Sequence, residues 1–386
     1  MRSNRLFGVL ATLLCLAVIP LARAQTFSVL YNASPSIPIT LVLDQSGNIY
    51  GTAGNGYGQI FKLDTEGNYS ILHAFTNSLS DGWNPYGLVR DSDGNLYGTA
   101  TVGGAFDGFC RYYFDGCGVI FKLDAAGNYT VLHTLAADGS EGAVPQYLIL
   151  DAAGNLYGTT YSGGQCSFTE GCGVVFKLDT MGNYTVVHTF RGLYDAHPGT
   201  PLSFDAKGNL YGIAGSVLFR LTPSGKKTEL YDFYELYGWV RPSGTLARDE
   251  AGNFYGTTVY GGSSNCSNEY GTGCGVVYKV DLSGNETILY TFTGKEGSYP
   301  YSGLVRGPDG ALYGATEGGG YHRCDNTIFQ GCGVIFRITR TGKEQTVHRF
   351  TGGTDGDYPI FPLVRDESGN LYGSSNLGII FKISFP

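Results

Sequence analysis

The chain has 386 residues and a formal net charge of −8, and its 60 glycines, 29 tyrosines and 22 phenylalanines stand beside only two methionines. This acidic balance argues against nucleic-acid binding, because phosphate groups demand a basic surface. Glycine supplies turns and bulges while aromatic residues favour pleated surfaces, so the composition predicts an all-β protein rather than a helical one.

The N-terminus has the pattern of a secretory signal peptide. Arg2 and Arg5 make the start of the chain basic, and an apolar run covers residues 6–19. Ala22-Arg23-Ala24 then forms a small-x-small cleavage site before Gln25. We therefore expect residues 1–24 to be a signal peptide and residues 25–386 to form a single exported domain. Removing three arginines and no acid would change the charge to −11 (−8 − 3). The apolar run is too short for a membrane span, so no membrane insertion is expected after signal removal.

A five-residue phrase, Gly-Asn-Leu-Tyr-Gly with close variants, recurs along the rest of the chain at intervals of 44 to 60 residues. Self-similarity at such a period indicates an array of equal supersecondary units. The seven copies begin at Gly47, Gly94, Gly154, Gly208, Gly252, Gly310 and Gly369.

One repeat unit, residues 146–190, contains four runs of strand length. Asp-x-x-Gly-Asn turns separate the first run from the second and the third from the fourth, which predicts an antiparallel meander. Several runs are apolar at both alternating sets of positions, as expected for a sheet that is covered on both faces. Such a small sheet, repeated around an axis, is typical of a propeller blade.

The count of strands predicts how the ring closes. Seven third strands are present, the last at residues 379–383, but no fourth strand follows it, whereas residues 26–33 match a fourth strand. We therefore predict an all-β, seven-bladed β-propeller of four-stranded antiparallel blades, with its last blade completed by the N-terminal strand. An open solenoid is the alternative, although it would not need this shared terminal blade.

Eight cysteines remain after residue 24, and they form four local pairs, each between the second and third strands of a repeat. An even count, an export signal and a repeated placement favour disulfides. Zinc is the competing interpretation, but it requires tetrahedral clusters of four ligands, and Cys-x-x-Cys is absent. No metal or cofactor is expected. The pairs are Cys110 with Cys117, Cys166 with Cys172, Cys266 with Cys274, and Cys324 with Cys332.

The two faces of the predicted propeller differ in their loops. The loops between second and third strands and those between blades emerge on one face, here called the loop face. The Asp-x-x-Gly-Asn turns occupy the other, the turn face. Because function concentrates in the variable loops of rigid scaffolds, we expect ligand binding on the loop face. The candidate residues are Trp83, Tyr112, Tyr161, His197, Trp239, Arg241, Tyr260, Tyr299, Tyr321, His322 and Asp357, with Tyr113, Tyr194, Tyr270, Arg323, Asp325 and Tyr358 nearby in sequence.

These candidates combine flat apolar rings with directional hydrogen-bonding groups, the mixture that binds sugars or peptides. The structural alternative is that the aromatic side chains cover loop glycines and fill the gaps between blades. Four of the six histidines, among them His188, occupy a fourth-strand position where other repeats have tyrosine, so we expect them to pack. His197 and His322 break that pattern. Neither has a partner at metal or triad spacing, and no Gly-x-Ser-x-Gly elbow is present.

The repeat unit resembles a known family. Residues 91–104 with 118–135, and residues 151–164 with 173–190, are closely similar to the bacterial GloVer tandem repeat, the Gloeobacter/Verrucomicrobia extracellular repeat. The resemblance spans nearly the whole mature chain. It implies an exported protein, and some members end in one of several surface-sorting anchors (the choice-of-anchor type). This chain departs from that pattern because no anchor follows Phe385, and the resemblance implies no functional residues.

Three hypotheses about function remain open at this point. The first is an exported, monomeric, non-catalytic module, extracellular or periplasmic, that binds a carbohydrate or another extracellular protein on the disulfide-stapled loop face. The second is an extracellular hydrolase or lyase acting on glycans near the central opening of that face. The third is a purely structural surface component. Catalysis predicts a compact acid–base cluster in a pocket. Binding predicts a ligand that is lost on Trp83→Ala or Trp239→Ala.

Overall fold

The structure is a computed structural model. It describes residues 25–385 except residues 55, 167–170, 193, 235–240, 269–270, 321–323 and 325–330. The predicted signal peptide, residues 1–24, lies outside the described residues.

Within the described residues the chain forms seven four-stranded antiparallel sheets, so the predicted fold is confirmed. The N-terminal strand is β1 (Thr26–Asn32). Blade 1 contains β2 (Ile37–Leu43), β3 (Ile49–Gly54), β4 (Gln59–Leu63) and β5 (Tyr69–Ala74). Blade 2 contains β6 (Trp83–Arg90), β7 (Leu96–Val102), β8 (Val119–Leu123) and β9 (Tyr129–Thr134), with helix α1 (Gly108–Tyr113) between β7 and β8. Blade 3 contains β10 (Ala143–Leu150), β11 (Leu156–Ser162), β12 (Val174–Leu178) and β13 (Tyr184–Thr189).

The other blades repeat this order, and blades 4, 6 and 7 have shorter first strands. Blade 4 contains β14 (Ser203–Phe204), β15 (Leu210–Ala214), β16 (Val217–Leu221) and β17 (Lys227–Asp232). Blade 5 contains β18 (Pro242–Arg248), β19 (Phe254–Thr258), the small hairpin β20 (Ser267–Asn268) and β21 (Gly271–Thr272), then β22 (Val276–Val280) and β23 (Glu286–Thr291). Blade 6 contains β24 (Val305–Arg306), β25 (Leu312–Thr316), β26 (Val334–Ile338) and β27 (Glu344–Arg349). Blade 7 contains β28 (Val364–Arg365), β29 (Leu371–Ser374), β30 (Ile379–Ser384) and β1.

The ring closes as the sequence predicts. Strand β1 pairs antiparallel with β30, from Thr26 opposite Ser384 to Asn32 opposite Ile379. The ring of Phe27 also stacks on His348 of blade 6, with ring centroids 3.6 Å apart. The N-terminal strand therefore completes both the last sheet and its packing against the preceding blade.

The recurring sequence phrase builds one turn and one close contact in each blade. In blade 7, Asp366 accepts hydrogen bonds from the backbone N–H of Asn370 (2.8 Å), from its side-chain amide (2.7 Å) and from the Tyr372 hydroxyl (3.1 Å). A Cβ on Gly373 would lie 2.5 Å from Cζ of Phe381, so only glycine fits against that ring. The aspartate before the phrase and the Asn and Tyr within it thus hold the turn, while its last Gly admits the third-strand aromatic ring.

The hydrophobic core lies between neighbouring blades. The phenylalanine at the end of a fourth strand packs edge-to-face against the third-strand aromatic ring of the next blade, as Phe190 does on Phe219 at 5.2 Å. Fully burying such a ring stabilises the fold by about 1.5–3 kcal/mol. The same contact recurs between Phe292 and Phe336 and between Phe350 and Phe381.

Three of the fourth-strand histidines also pack between blades. His73 stacks on Tyr129 of the next blade with ring centroids 4.0 Å apart, and its Nε2 lies 3.2 Å from Oδ1 of Asp81. Burial lowers the pKa of His348, against the opposing effect of its hydrogen bond with Asp355. These contacts place the histidines in packing positions. The remaining stacked pairs are His133 with Tyr184 and His348 with Phe27.

The first strands of the blades contact one another and therefore encircle the central axis. Thr52 in blade 1 donates a hydrogen bond to the carbonyl of Tyr86 at 2.9 Å, and the Tyr86 hydroxyl lies 3.3 Å from the hydroxyl of Tyr147 in blade 3. At the closure, Ser374 of blade 7 donates to the carbonyl of Pro38 in blade 1 at 2.8 Å. The start of each first strand consequently faces the opening of the propeller on the loop face.

Candidate functional site

All four predicted disulfides are present, each within the loop between the second and third strands of one blade, and a backbone hydrogen bond joins each of these loops to the next blade. The carbonyl of the second cysteine accepts a hydrogen bond from the residue that begins the next blade. His197, for example, donates its backbone N–H to Cys172 at 2.8 Å. The corresponding bonds run from Val144 to Cys117, from Tyr299 to Cys274 and from Tyr358 to Cys332.

A ring of seven residues that each precede a proline marks the loop-face end of the first strands. We call this set the mouth ring. Because the position recurs in every blade while the side chain differs, the mouth ring offers a varied surface around the central opening. Its members are Ile37, Asn84, Val144, His197, Arg241, Tyr299 and Tyr358.

Five members of the mouth ring have left-handed backbone conformations. These are Asn84, Val144, His197, Tyr299 and Tyr358, with φ between 42° and 59°. Such a conformation is costly for residues other than glycine, above all for a β-branched residue such as Val144. The packing explains it, because the N–H must reach the previous blade while the following proline lies against a glycine there.

Exposed aromatic side chains among the described residues are confined to the loop face. Tyr112, on helix α1, is 80% exposed, the highest value among these rings. The large apolar side chains exposed on the turn face are instead aliphatic, as with Met181 and Leu282. Aromatic rings in water offer flat apolar faces, and a cluster of them on one side marks a binding surface. The exposed rings, all in blades 1 to 4, are Tyr57, Phe106, Tyr112, Tyr113, Tyr161 and Tyr194.

Tyr161 and His197 come together across the boundary between blades 3 and 4. Their ring centroids are 4.8 Å apart at an interplanar angle of 28°, and Nδ1 of His197 lies 2.9 Å from the carbonyl oxygen of Tyr161. The stack leaves the Tyr161 ring exposed, so it can offer an apolar face to a ligand.

A second group of candidates meets between blades 5 and 6, and we call it the blade 5–6 cluster. The Arg241 guanidinium lies 5.6 Å from the ring centroid of Tyr301, and the rings of Tyr260 and Tyr299 meet edge-to-face at 5.8 Å. Tyr260 and Tyr299 are only 4% and 3% exposed, so little of either ring can reach a ligand. Burial raises the pKa of Tyr301, with a further contribution from Tyr260. The fifth member of the cluster is Glu317.

Glu317 was not among the residues singled out from the sequence. It directly follows β25, and its backbone N–H donates to the carbonyl of Tyr299 at 3.0 Å. Its Oε2 is inaccessible to solvent and has no hydrogen-bond partner among the described residues. Burial raises the pKa of this carboxyl to about 8, and the charge of Arg241 opposes the rise only in part. The sequence signal was its place after the second strand, in register with Tyr161 of blade 3.

The remaining candidates occupy separate places. Trp83 is partly buried and meets Tyr57 edge-to-face at 6.3 Å. Asp357 is buried, and burial together with Asp355 raises its pKa. The hydroxyl of Tyr358 donates to the carbonyl of Cys324. The candidates that lie outside the described residues are Trp239, Tyr270, Tyr321, His322, Arg323 and Asp325.

A cavity of about 730 Å³ lies on the turn face, at the junction of blades 7 and 1. Its lining includes Asp44, Asp64 and Asp366, whose carboxylates accept hydrogen bonds from the asparagines of their own turns. These acids are already used by the repeat, so the cavity offers less specific chemistry than the loop face. Among the described residues, no three His, Cys, Asp or Glu side chains are arranged to hold a metal ion.

Seven four-stranded blades, closed by a strand from the opposite end of the chain, define a seven-bladed β-propeller. The sequence model of the Gloeobacter/Verrucomicrobia repeat matches residues 37–268 and 215–383, and the chain belongs to that family. The predicted family is thus confirmed, while a surface-anchor subtype stays a prediction. No curated protein matches the chain in sequence.

Solved structures with the same fold have diverse roles. A streptogramin B lyase structure has a TM-score of 0.66 at 15% identity, covering 94% of this chain and 98% of that one. The extracellular domain of a putative one component system from B. thetaiotaomicron has a TM-score of 0.60 at 13% identity, covering 92% of this chain and 39% of that one. YCF48 bound to D1 peptide has a TM-score of 0.59 at 10% identity, covering 94% and 98%. Identities this low show the fold alone. No helix in the described part of the chain is long and apolar enough to cross a membrane.

Proposed function

We propose that this chain is an extracellular module that binds a carbohydrate or a protein partner on its loop face and catalyses no reaction. The observation that carries the proposal is the one-sided distribution of exposed aromatic rings. All six that the described residues contain lie on the loop face, across blades 1 to 4, beside the mouth ring. Rings that only filled gaps between blades would be buried, as the third-strand phenylalanines are.

The location outside the cytoplasm is supported by the disulfides. Four cross-links persist in an oxidising compartment and would be reduced in the cytosol. The same fold occurs in the extracellular domain of a putative one component system. YCF48, another protein of this fold, binds a peptide. Both comparisons are consistent with a propeller that presents one face to a partner, although neither identifies the ligand.

The test is a panel of glycans and extracellular proteins, screened for retention by the purified mature chain and for turnover. Tyr112→Ala and Tyr161→Ala should weaken the retained ligand about tenfold or more, because each removes an exposed stacking ring. Met181→Ala is the matched control, since this side chain is 82% exposed on the turn face. It should leave affinity unchanged.

Three results would count against the proposal. If nothing on the panel is retained, the result would favour the hypothesis of a purely structural surface component. Equal loss in Met181→Ala and Tyr161→Ala would remove the loop face as the binding surface. Release of products from a retained glycan would show that the protein is an enzyme.

A further inference from the structure

The blade 5–6 cluster combines one exposed cation with a carboxyl behind it. Arg241 is exposed at the mouth ring, and its guanidinium lies over the ring of Tyr301. Glu317 lies deeper, with an Oε2 that is closed to solvent and lacks a partner among the described residues. Such a carboxyl is costly to bury as a charged group unless something binds it.

The charge state of the cluster follows from this burial. The pKa of Glu317 is about 8, so most of this carboxyl is neutral at pH 7, whereas Arg241 keeps its charge. The other titratable groups that act on Glu317 or lie beside it are the phenols of Tyr260, Tyr299 and Tyr301. Burial raises the pKa of Tyr299 and of Tyr301, so neither of these two phenols is charged at this pH. The cluster therefore has a net charge of +1 in an otherwise acidic protein, and its side chains are mainly hydrogen-bond donors.

We propose that the blade 5–6 cluster is a subsite for the carboxylate group of an acidic sugar. Arg241 pairs with the ligand carboxylate, and the neutral acid of Glu317, a residue that is only partly buried, donates an O–H to the same group. This inference rests on the proposed function, since it specifies one ligand class for the loop face.

The arrangement favours an acidic sugar over the alternatives. A cationic ligand would meet the Arg241 charge first and would be repelled. A neutral sugar would leave that guanidinium without an ionic partner. The ring of Tyr301, which is only partly buried, favours a sugar because carbon–hydrogen surfaces of pyranose rings pack on tyrosine.

The experiment compares two probes of equal length, an oligogalacturonate and an uncharged galactose oligomer, by calorimetry on the mature chain. We expect the oligogalacturonate to bind at least tenfold more tightly at pH 6.5. Raising the pH to 9 lowers the protonated fraction of a group with a pKa of about 8 from about 97% to about 9%. Binding of the uronate should weaken about tenfold, whereas the neutral probe should show no such dependence.

Two variants separate the roles. Arg241→Gln should weaken the uronate at least tenfold and leave the neutral probe unchanged, whereas Lys207→Gln, which removes an exposed cation from the turn face, should do neither. Glu317→Gln keeps a hydrogen-bond donor that does not titrate. It should preserve binding at pH 6.5 and abolish the loss at pH 9.

The outcomes distinguish this inference from the function on which it rests. Equal affinity for the two probes, or no effect of Arg241→Gln, would overturn the subsite while leaving loop-face binding intact. Retention of peptides with a free terminal carboxylate, but not of the uronate, would overturn the assignment to a sugar. If no glycan and no protein on the panel is retained by the mature chain, the result would count against both proposals.

Discussion

Replacing Gly173 with alanine tests how tightly this residue is packed between its own blade and the next one. Gly173 follows Cys172 and has a φ of +83°, a conformation that suits glycine. A Cβ there would lie 2.3 Å from the carbonyl oxygen of Thr160 in blade 3 and 2.6 Å from Cδ of Pro198, the proline that opens the next blade. The substitution therefore introduces backbone strain together with steric clashes inside blade 3 and across its boundary with blade 4.

Gly182 provides a control that separates these two effects. It lies in the same blade with a φ of +87°, and a Cβ at this position would have nothing within 4 Å. Gly182→Ala should lower the free energy of unfolding by about 1–2 kcal/mol, the cost of the left-handed conformation alone. Gly173→Ala adds about 1–3 kcal/mol for overpacking, which gives a total of roughly 2–5 kcal/mol.

Urea unfolding of both variants and the parent chain, followed by circular dichroism, measures this difference. We expect the midpoint to fall markedly further in Gly173→Ala than in Gly182→Ala. Equal losses in the two variants would refute the reasoning, because the penalty would then come from backbone conformation alone and not from the close packing around Gly173.

Two further predictions concern the disulfides and the Asp-x-x-Gly-Asn turns. Replacing Cys166 and Cys172 with alanine should lower the free energy of unfolding by about 2–3 kcal/mol, since the bridge closes a short loop with a sequence separation of 6. Unfolding of the parent chain with and without reductant checks this, and a parent chain whose stability does not change with reductant would contradict it. Burial alone would raise the pKa of Asp205, but hydrogen bonds from Asn209, Tyr211 and Lys207 lower it from 3.8 to about 2. The ionised Asp205 carboxylate therefore stabilises the fold above pH 3.8, and this stabilisation is lost as the pH falls through about 2. With allowance for solvent screening, Asp205→Asn should lower the free energy of unfolding by about 1 kcal/mol at pH 7 and by almost nothing near pH 2. Urea unfolding midpoints at the two pH values test this, and an equal loss of stability at both would be inconsistent with it.

The fold could be predicted from the sequence because the same pattern of strands and turns recurs in every repeat. The turns fix the strand ends, and the unmatched run at residues 26–33 supplies the missing strand of blade 7. The cysteine pairs could be assigned because each closes within one local loop. The first strands of blades 4, 6 and 7 were harder to delimit, since only two residues of each, such as Val364–Arg365, form regular ladder pairs.

The site was less predictable because it is assembled from neighbouring blades. Arg241 and Glu317 are 76 positions apart (317 − 241), and no local pattern relates them. Tyr260 and Tyr299 were chosen as surface residues, yet the structure buries both against each other. The seven prolines that follow the mouth ring were a usable signal, because the same residue type recurs at the start of every first strand.

The pairing of β1 with β30 also determines when the molecule can be completed. Thr26 and Ser384 are partners although they are 358 positions apart (384 − 26), so the earliest strand to be synthesised must wait for the latest. Contacts this distant in sequence form slowly, and an unpaired edge meanwhile invites aggregation. A truncated product would keep that edge open and remain accessible to proteases, so only a chain delivered at full length acquires the resistance of the finished protein.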